Sequence, residues 1–220
     1  MDRFYQPVKR GLDLVLAGLA LGLLWPVLLA ISLAVLLEDG RPVFFTQERI
    51  GKRARRFRIF KFRTMVKDAD KHGPVLSEDD PRITRVGRFL RRWSLDELPQ
   101  LVNVILGHMS IVGPRPTLEY QVARYSLEQM QRLCVRPGIT GLAQVSGRNH
   151  LSWQRKIELD LEYVRKASFW LDIKILLKTL PVVLKGGWLY RPQQEWQKDP
   201  IAAPEMAKEK DQELLKEVKS

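Results

Sequence analysis

A long apolar segment near the N-terminus limits the folds open to this chain more than any other feature. Residues 12–37 carry a single charged side chain, Asp13, across 26 positions. About 20 consecutive apolar residues are enough to cross a bilayer as a helix. The segment is too long for the apolar part of a signal peptide, and no small-residue cleavage site follows it. We therefore expect residues 1–40 to form a membrane helix.

Two features leave open whether this helix crosses the membrane or enters and leaves through the same side. Pro26 lies at its midpoint, where a proline removes a backbone hydrogen bond and kinks a helix. Positive charge flanks both ends, and such charge stays on the cytoplasmic side of a membrane. The flanking residues are Arg3, Lys9 and Arg10 before the segment, and Arg41, Arg49, Lys52, Arg53, Arg55 and Arg56 after it. A helix broken at Pro26 that enters and leaves through one leaflet satisfies both observations. A kinked single span is the alternative, because membrane helices tolerate prolines.

The composition points to an anionic partner. The chain has 220 residues, a net charge of +12 and a pI of about 10, which suits nucleic acid, anionic lipid or a phosphorylated substrate. Its one cysteine, Cys134, rules out an intramolecular disulfide and fits a reducing compartment. The length fits one domain with appendages. We expect that domain at residues 41–190, with a charged C-terminal tail over residues 191–220.

Periodicity predicts an α+β domain that is mainly helical and has short strands. Strand patterns cover residues 42–46 and 57–63, the second with one basic face, and residues 68–81 are typical of a loop. Helical spacing covers residues 89–106, 118–133, 152–166 and 169–188. The last of these helices has aromatic ends and several lysines, which suits an amphipathic helix lying among lipid headgroups. A core-facing helix fits the same pattern.

Two adjacent carboxylates, Asp96 and Glu97, follow a basic cluster that includes Arg91 and Arg92. Ser94 and Glu97 match a Ser-x-x-Glu capping box, so a helix is expected to begin at Ser94. Acidic side chains in a first helical turn are favoured by the helix dipole, whatever their function. In the functional interpretation, the dipole keeps the pKa of Asp96 low. The ionised carboxylate then holds Mg²⁺ or attacks a phosphorus atom.

Two basic motifs accompany the acidic pair. The prolines of Gly113-Pro-Arg-Pro116 fix the backbone around Arg115, while the glycine permits a tight turn. That arrangement could present a preorganised guanidinium to a phosphate, or it is simply a rigid loop with an exposed arginine. Lys61 and Arg63 lie on one face of the predicted strand. They could neutralise a diphosphate, or form only a solvated or lipid-facing basic surface.

Other motifs are weaker or missing. Gln144, Ser146 and Arg148 lie among glycines, with Asp160 downstream, and such residues suit a nucleotide or sugar pocket without requiring one. The three histidines are dispersed along the sequence and suggest no zinc site. The sequence has no Walker loop and no Gly-x-Gly-x-x-Gly motif. Its basic stretch also lacks the aromatic platform of a nucleic-acid module.

Four motifs in one order resemble the bacterial sugar transferases, the monotopic phosphoglycosyl transferases that act on polyprenyl phosphates. They are Lys61-Phe-Arg-Thr-Met65, Ser94-Leu-Asp-Glu-Leu-Pro-Gln-Leu-Val-Asn103, Met109-Ser-Ile-Val-Gly-Pro-Arg-Pro116 and Arg136-Pro-Gly-Ile-Thr-Gly-Leu-Ala-Gln-Val-Ser-Gly-Arg148. The resemblance runs from about residue 9 to residue 184 and fits the minimal members, which have one membrane segment. It implies a re-entrant helix broken at Pro26 and a small catalytic domain on the cytoplasmic face of the bacterial inner membrane.

The resemblance also implies a reaction. A UDP-sugar donates sugar 1-phosphate to polyprenyl (undecaprenyl) phosphate and UMP is released, as the first membrane step of glycoconjugate assembly. Asp96 would be the nucleophile that forms a covalent phospho-sugar intermediate and a ligand of Mg²⁺, and Glu97 would support it. The phosphate and substrate pocket would be lined by Arg115, Lys61, Arg91, Arg148 and Asp160. Expected partners are membrane lipid, a second copy of the chain and the glycosyltransferases of the same pathway, but not nucleic acid.

Two positions depart from the family pattern, and two other functions stay open. Trp25 precedes Pro26 where members often carry a small serine, and Leu142 stands where many carry tryptophan. The main alternative is a non-catalytic, membrane-anchored module that binds anionic lipid or nucleic acid through residues 41–63. A soluble-type glycosyltransferase that acts on a lipid acceptor would release UDP instead of UMP.

Overall fold

The computed structural model describes residues 5–69, 80–147 and 150–184. Within these ranges the elements are α1 (Tyr5–Asp39), β1 (Phe44–Ile50), β2 (Arg56–Phe62), α2 (Arg85–Arg92), α3 (Gln100–Ile105), β3 (Ser110–Val112), α4 (Glu119–Val122), β4 (Gly138–Thr140), α5 (Leu142–Ser146), α6 (Trp153–Lys166) and α7 (Phe169–Leu184). The expected mainly helical architecture with short strands is confirmed. Arg148, the last residues of the helix predicted at 169–188 and the tail over residues 191–220 lie outside the described residues.

Helix α1 has the length and hydropathy of a membrane span. Its 35 residues correspond to about 50 Å at 1.5 Å per residue. The backbone stays helical through Pro26, so the break predicted there is not confirmed. A proline in a helix leaves the carbonyl four residues earlier without its donor, here that of Gly22. Both residues lie on the exposed surface of the helix.

Both halves of α1 pack against the rest of the chain. In the first half, the Asp13 carboxylate accepts a hydrogen bond from the backbone N–H of Ile111 at 3.0 Å, and Ala17 is fully buried. In the second half, Val35 is buried, and Glu38 accepts hydrogen bonds from two backbone N–H groups at the start of α2. The helix therefore lies along the folded domain, while its other faces expose apolar side chains.

Strands β1 and β2 form an antiparallel hairpin, in which Phe45 lies opposite Lys61 and Arg49 lies opposite Phe57. Phe57 and Ile59 are buried in the core, whereas the arginines that alternate with them are exposed. The second predicted strand is thus confirmed, and its exposed face carries Arg56 and Arg58. Because side chains alternate along a strand and directly opposed residues share a face, Lys61 and Arg49 lie on the inward face of the hairpin.

The helical spacing over residues 89–106 is divided between α2 and α3, and the helix expected to begin at Ser94 begins only at Gln100, so that start is wrong. Between α2 and α3 the chain forms a 3₁₀ turn at Leu95–Glu97. Ser94 ends the first helix with a left-handed backbone, at φ 56°. Pro99 lacks the N–H that a continuous helix would need, and it caps α3 instead. Both carboxylates of the acidic pair therefore lie in a tight turn between two helices.

The helix predicted over residues 118–133 is also wrong. The structure has the short helix α4 and a separate 3₁₀ helix at Gln129–Cys134. Ser126 and Gln129 explain the interruption, because each side chain accepts a hydrogen bond from the backbone N–H of the other, at 3.2 and 3.0 Å. Such local side-chain to backbone bonds compete with helix formation.

The C-terminal part packs helices over a short parallel pair of strands, β3 and β4, which the sequence did not predict. Helix α6 matches its predicted range, and Ser152 caps it by accepting from the N–H of Arg155 at 3.1 Å. Helix α7 buries Asp172 and Ile175 towards the core. Its opposite face exposes Trp170, Leu177, Leu180 and Leu184, so α7 also presents apolar side chains to its surroundings.

Candidate active site

The carboxylate of Glu97 is the centre of a cluster of charged side chains. Its Oε1 accepts hydrogen bonds from Lys61 Nζ at 2.7 Å and from Arg115 Nη2 at 2.5 Å, and its Oε2 accepts from Arg115 Nη1 at 3.3 Å. The three residues come from β2, the 3₁₀ turn and the loop after β3. Burial acts to raise the pKa of Glu97, but the charges of Arg115 and Lys61 outweigh it and hold the pKa well below its ordinary range.

Asp96, the neighbouring carboxylate, has a different environment. Within the described residues it has neither a hydrogen-bond partner nor an ion-pair partner. Burial raises the pKa of Asp96 to about 6, and the charges of Lys61 and Arg91 reduce this rise while that of Glu97 adds to it. The low pKa expected from the sequence is therefore wrong. Its basis was a helix dipole, and Asp96 lies in a partly buried turn instead of the first turn of an α-helix.

The predicted capping box is not formed. The side chain of Ser94 makes no capping hydrogen bond, and the carboxylate that the box requires, that of Glu97, is bound by Lys61 and Arg115. The turn is closed by the backbone instead, since the Glu97 N–H donates to the Ser94 carbonyl at 3.3 Å. A non-glycine residue with positive φ, such as Ser94, costs free energy and recurs at functional sites.

The loop that carries Arg115 is fixed by the parallel strands beside it. The Gly113 N–H donates to the Thr140 carbonyl at 2.8 Å, and the carbonyl of the next residue accepts from the Gly138 N–H at 2.8 Å. A Cβ atom on Gly113 would lie 2.5 Å from the Arg136 carbonyl oxygen. This glycine is therefore required for close packing and not for a left-handed turn. The guanidinium of Arg115 is half exposed on a rigid support.

A buried arginine that the sequence analysis did not single out holds the same loop. Arg132 Nη2 donates to the backbone carbonyl of Arg115 at 2.7 Å, and its Nε donates to Asp160 Oδ2 at 2.6 Å. Asp160, expected in the substrate pocket, thus lies away from Glu97 and is linked to it through Arg132 and Arg115. No local signal marks Arg132, because the pair joins positions 28 residues apart.

Of the other basic residues that the sequence suggested, Arg91 lies beside the acidic pair and Arg63 lies apart from it. Arg91 is close enough to Asp96 for its charge to lower that pKa, and its Nε donates to Thr64 Oγ1 at 2.8 Å. Arg63 pairs with Asp39 at 2.9 Å and donates to carbonyls at the end of α1. It is therefore buried against α1, and its expected place beside Lys61 is wrong. Arg148 lies outside the described residues.

The carboxylate of Asp96 fits a magnesium ion that would be shared with a phosphorylated ligand. In phosphate-transfer sites Mg²⁺ is usually bound by one or two carboxylates together with phosphate oxygens and water. Asp96 offers such a carboxylate because none of the described residues donates to it, whereas both oxygens of Glu97 are occupied. Among the described residues, no three His, Cys, Asp or Glu side chains lie close enough together to hold a metal ion. This part of the chain therefore does not form a site that would bind the metal ion through protein ligands alone.

Comparison with known proteins gives consistent matches. The family model described as bacterial sugar transferase matches residues 4–186, a range that includes all the residues of this cluster. A Bacillus subtilis protein named uncharacterized sugar transferase EpsL is 46% identical over 177 residues, or 80% of this chain and 87% of that protein. The UDP-glucose:undecaprenyl-phosphate glucose-1-phosphate transferase of Escherichia coli is 47% identical over 188 residues, or 81% of this chain and 40% of that protein.

A third relative carries a different sugar in its name. The UDP-N-acetylgalactosamine-undecaprenyl-phosphate N-acetylgalactosaminephosphotransferase of Aeromonas hydrophila is 42% identical over 189 residues, or 83% of this chain and 45% of that protein. The chain therefore spans less than half the length of several curated relatives that it matches, and most of the length of others.

Proposed function

The chain belongs to the bacterial sugar transferase family, and on this premise we propose that it transfers sugar 1-phosphate from a UDP-sugar to polyprenyl phosphate. The acceptor would be undecaprenyl phosphate, and the products UMP and polyprenyl-diphospho-sugar, the first membrane-bound intermediate of a glycoconjugate. The names of the Escherichia coli and Aeromonas relatives support this reaction. One observation carries the proposal: of two adjacent carboxylates, Glu97 is ion-paired and Asp96 has no partner within the described residues.

In the first half of the reaction, an oxygen of the Asp96 carboxylate attacks the phosphorus that carries the sugar. A bond forms between that oxygen and the phosphorus, the bond from the phosphorus to the bridging oxygen breaks, and UMP leaves with the electron pair. Above pH 6 the carboxylate is mostly ionised. Because no group in the described part of the chain donates to it, its lone pairs are available for attack.

In the second half, an oxygen of the polyprenyl phosphate attacks the same phosphorus. The bond to Asp96 breaks, the carboxylate is released, and the new P–O–P bridge is the diphosphate of the product. The two anionic substrates need not occupy the site together. Dividing the transfer into two steps therefore lowers their mutual repulsion.

Basic side chains would stabilise the negative charge in both halves. Glu97 orients Lys61 and Arg115 beside Asp96, and the half-exposed guanidinium of Arg115 keeps donors for a phosphate. Arg91 adds positive charge close to Asp96. When bound, Mg²⁺ would neutralise diphosphate charge, with Asp96 as its protein ligand. Asp160 would act from a distance, by holding Arg132 under the loop of Arg115.

We also propose that the domain lies on the cytoplasmic face of the inner membrane, with both ends of α1 on that side. In α1 the side chains of Leu21 and Leu28, on either side of Pro26, both pack against core clusters of the domain. These contacts tie both halves of the helix to one domain, which supports entry and exit through one leaflet. In the membrane, this path would require α1 to bend at Pro26. The exposed apolar face of α7 suits the same interface.

The experiment that tests this function is the intact mass of the purified protein after incubation with Mg²⁺ and a panel of UDP-sugars, without a lipid acceptor. We expect one sugar to add the mass of a sugar phosphate. The adduct should be absent in Asp96→Asn and should be discharged by polyprenyl phosphate with formation of the diphospho-sugar. Full turnover by Asp96→Asn would contradict the role given to this residue.

The nucleotide released once the lipid acceptor is added separates the alternatives. A soluble-type glycosyltransferase would release UDP where this proposal requires UMP. A non-catalytic binding module would release neither, and it would bind anionic lipid or nucleic acid in a salt-dependent way that changes at Asp96 and Glu97 leave unaltered.

A further inference from the structure

Arg49 is a partly buried arginine on β1 that the function proposed above does not use. It lies on the inward face of the hairpin, the face that also carries Lys61. Its Nη2 donates to Gln47 Oε1 at 2.5 Å, and its Nε is buried without a hydrogen-bond partner. Within the described ranges, no carboxylate forms an ion pair with Arg49.

The charges around Arg49 leave a local excess of positive charge. Burial and, to a smaller extent, the positive charge of Arg115 lower the pKa of Arg49 to about 10. Glu97 acts in the opposite direction, but its oxygens already accept from Lys61 and Arg115. The guanidinium groups of Arg49 and Arg115 therefore lie near each other. The one carboxylate beside them, that of Glu97, is also shared with Lys61.

The backbone fixes this arrangement. The N–H of Ile50, next to Arg49, donates to the carbonyl of Thr117 at 2.9 Å. This bridge joins the end of β1 to the loop that carries Arg115. The two guanidinium groups are thus presented by connected backbone segments.

A partly buried charge without a counterion is costly for the folded protein, and a bound anion would remove that cost. We propose that Arg49 is a phosphate-binding residue of the active site, and that Arg49 and Arg115 together bind one phosphate group of a substrate. A guanidinium matches the geometry of a phosphate because its N–H groups lie in a rigid planar fork. The proposal rests on the proposed function, which supplies two such phosphates: that of the sugar nucleotide and that of the polyprenyl lipid.

The test compares Arg49→Met with Arg58→Met in the full-length, detergent-solubilised protein. Arg58 is an exposed arginine of the same hairpin. Its replacement therefore makes the same chemical change as Arg49→Met but removes no buried charge. The measurement is the melting temperature with and without two probes, UDP and farnesyl phosphate. Without a probe, Arg49→Met should melt no lower than Arg58→Met, because it removes an uncompensated charge.

With a probe, Arg49→Met should bind about 10- to 100-fold more weakly than the wild type, the usual effect of losing a charged hydrogen bond. Arg58→Met should bind like the wild type. Weaker binding of UDP assigns the phosphate to the donor, and weaker binding of farnesyl phosphate assigns it to the acceptor. Unchanged binding of both probes by Arg49→Met would overturn the inference.

A further variant covers the case in which Arg49→Met does not fold. Arg49→Lys keeps the charge but loses the planar fork, so it should fold and bind at least one probe several-fold more weakly. Wild-type affinity of Arg49→Lys for both probes would overturn the inference. If the wild-type protein bound neither probe and released no UMP, the proposed function itself would fail, and this inference would fail with it.

Discussion

The guanidinium of Arg132 and the carboxylate of Asp160 form an ion pair at 2.6 Å in which the two side chains are only 3% and 1% exposed. Arg132 also donates to the backbone carbonyl of Arg115. A buried pair therefore supports the loop whose guanidinium binds Glu97. Asp160 and Arg132 therefore support the site, whereas residues such as Arg115 can contact a substrate.

Asp160→Asn should destabilise the protein strongly, by about 3 kcal/mol, because removing one partner leaves a buried charge uncompensated. The double change Arg132→Met with Asp160→Leu replaces the pair by apolar groups of similar size and should recover most of the stability. We expect its activity to stay low, since the bond to the Arg115 carbonyl is still missing. Thermal unfolding and UMP release measured on the same samples test this. Recovery of both would mean that the pair only stabilises the fold.

Asp96→Asn should stabilise the protein at pH 8 while it abolishes turnover. The pKa of Asp96 is raised from 3.8 to about 6 in the folded state, so folding is increasingly penalised as the pH rises from about 4 to 6, and the full penalty applies above pH 6, where Asp96 must be charged. The full difference corresponds to about 3 kcal/mol, and we expect a gain of about 1 to 2 kcal/mol. Unfolding should be followed in a metal chelator at pH 8 and pH 4.5. A gain of the same size at both values would contradict the ionisation argument.

Glu97→Gln should have the opposite effect on stability at the same pH. The pKa of Glu97 is lowered in the folded state, so its ionised form contributes stability above its ordinary pKa, and this contribution is lost only in strong acid. The amide would leave Lys61 and Arg115 without their counterion, at a cost of about 1 to 3 kcal/mol. Parallel melting curves of Asp96→Asn and Glu97→Gln at pH 8 check this prediction. Shifts of the same sign would refute the distinction between the two carboxylates.

Gly113→Ala should destabilise the loop of Arg115. The added Cβ would lie 2.5 Å from the Arg136 carbonyl oxygen, so the strands must separate, at a cost of about 1 to 3 kcal/mol. Activity should fall as well, because Arg115 moves with the loop. Gly18→Ala is the matched control, since a Cβ at that position of α1 would meet no atom of the described residues within 4 Å beyond the adjoining residues and backbone of its own helix. A melting temperature of Gly113→Ala equal to that of the control would show that the close contact is readily relieved.

Cysteines at positions 6 and 46, placed singly in a Cys134→Ser background, should both react only from the cytoplasmic side. Cys134 must be replaced because it is exposed. The prediction follows from the contacts that both halves of α1 make with one domain. Labelling of intact spheroplasts with a membrane-impermeant maleimide, before and after permeabilisation, is the measurement. Reaction of one position in intact cells and of the other only after permeabilisation would establish a true span.

Several elements could be predicted because their signals are local. The apolar length of α1, the alternation that buries Phe57 and Ile59 in β2, and the helical spacing of α6 each depend on side chains within a few residues of each other. The divided helices could not be predicted from periodicity. There the decisive features were the left-handed backbone of Ser94 and the reciprocal bonds of Ser126 and Gln129.

The sequence by itself determined that an acidic pair and a set of arginines and lysines accompany a membrane helix, since these are properties of composition and order. Only the tertiary structure decided which carboxylate is paired. Lys61 and Arg115 lie 36 and 18 residues from Glu97 along the chain, and nothing local distinguishes Asp96 from its neighbour. The pairing of one carboxylate and the raised pKa of the other depend on burial and on distances between remote residues, which only folding establishes.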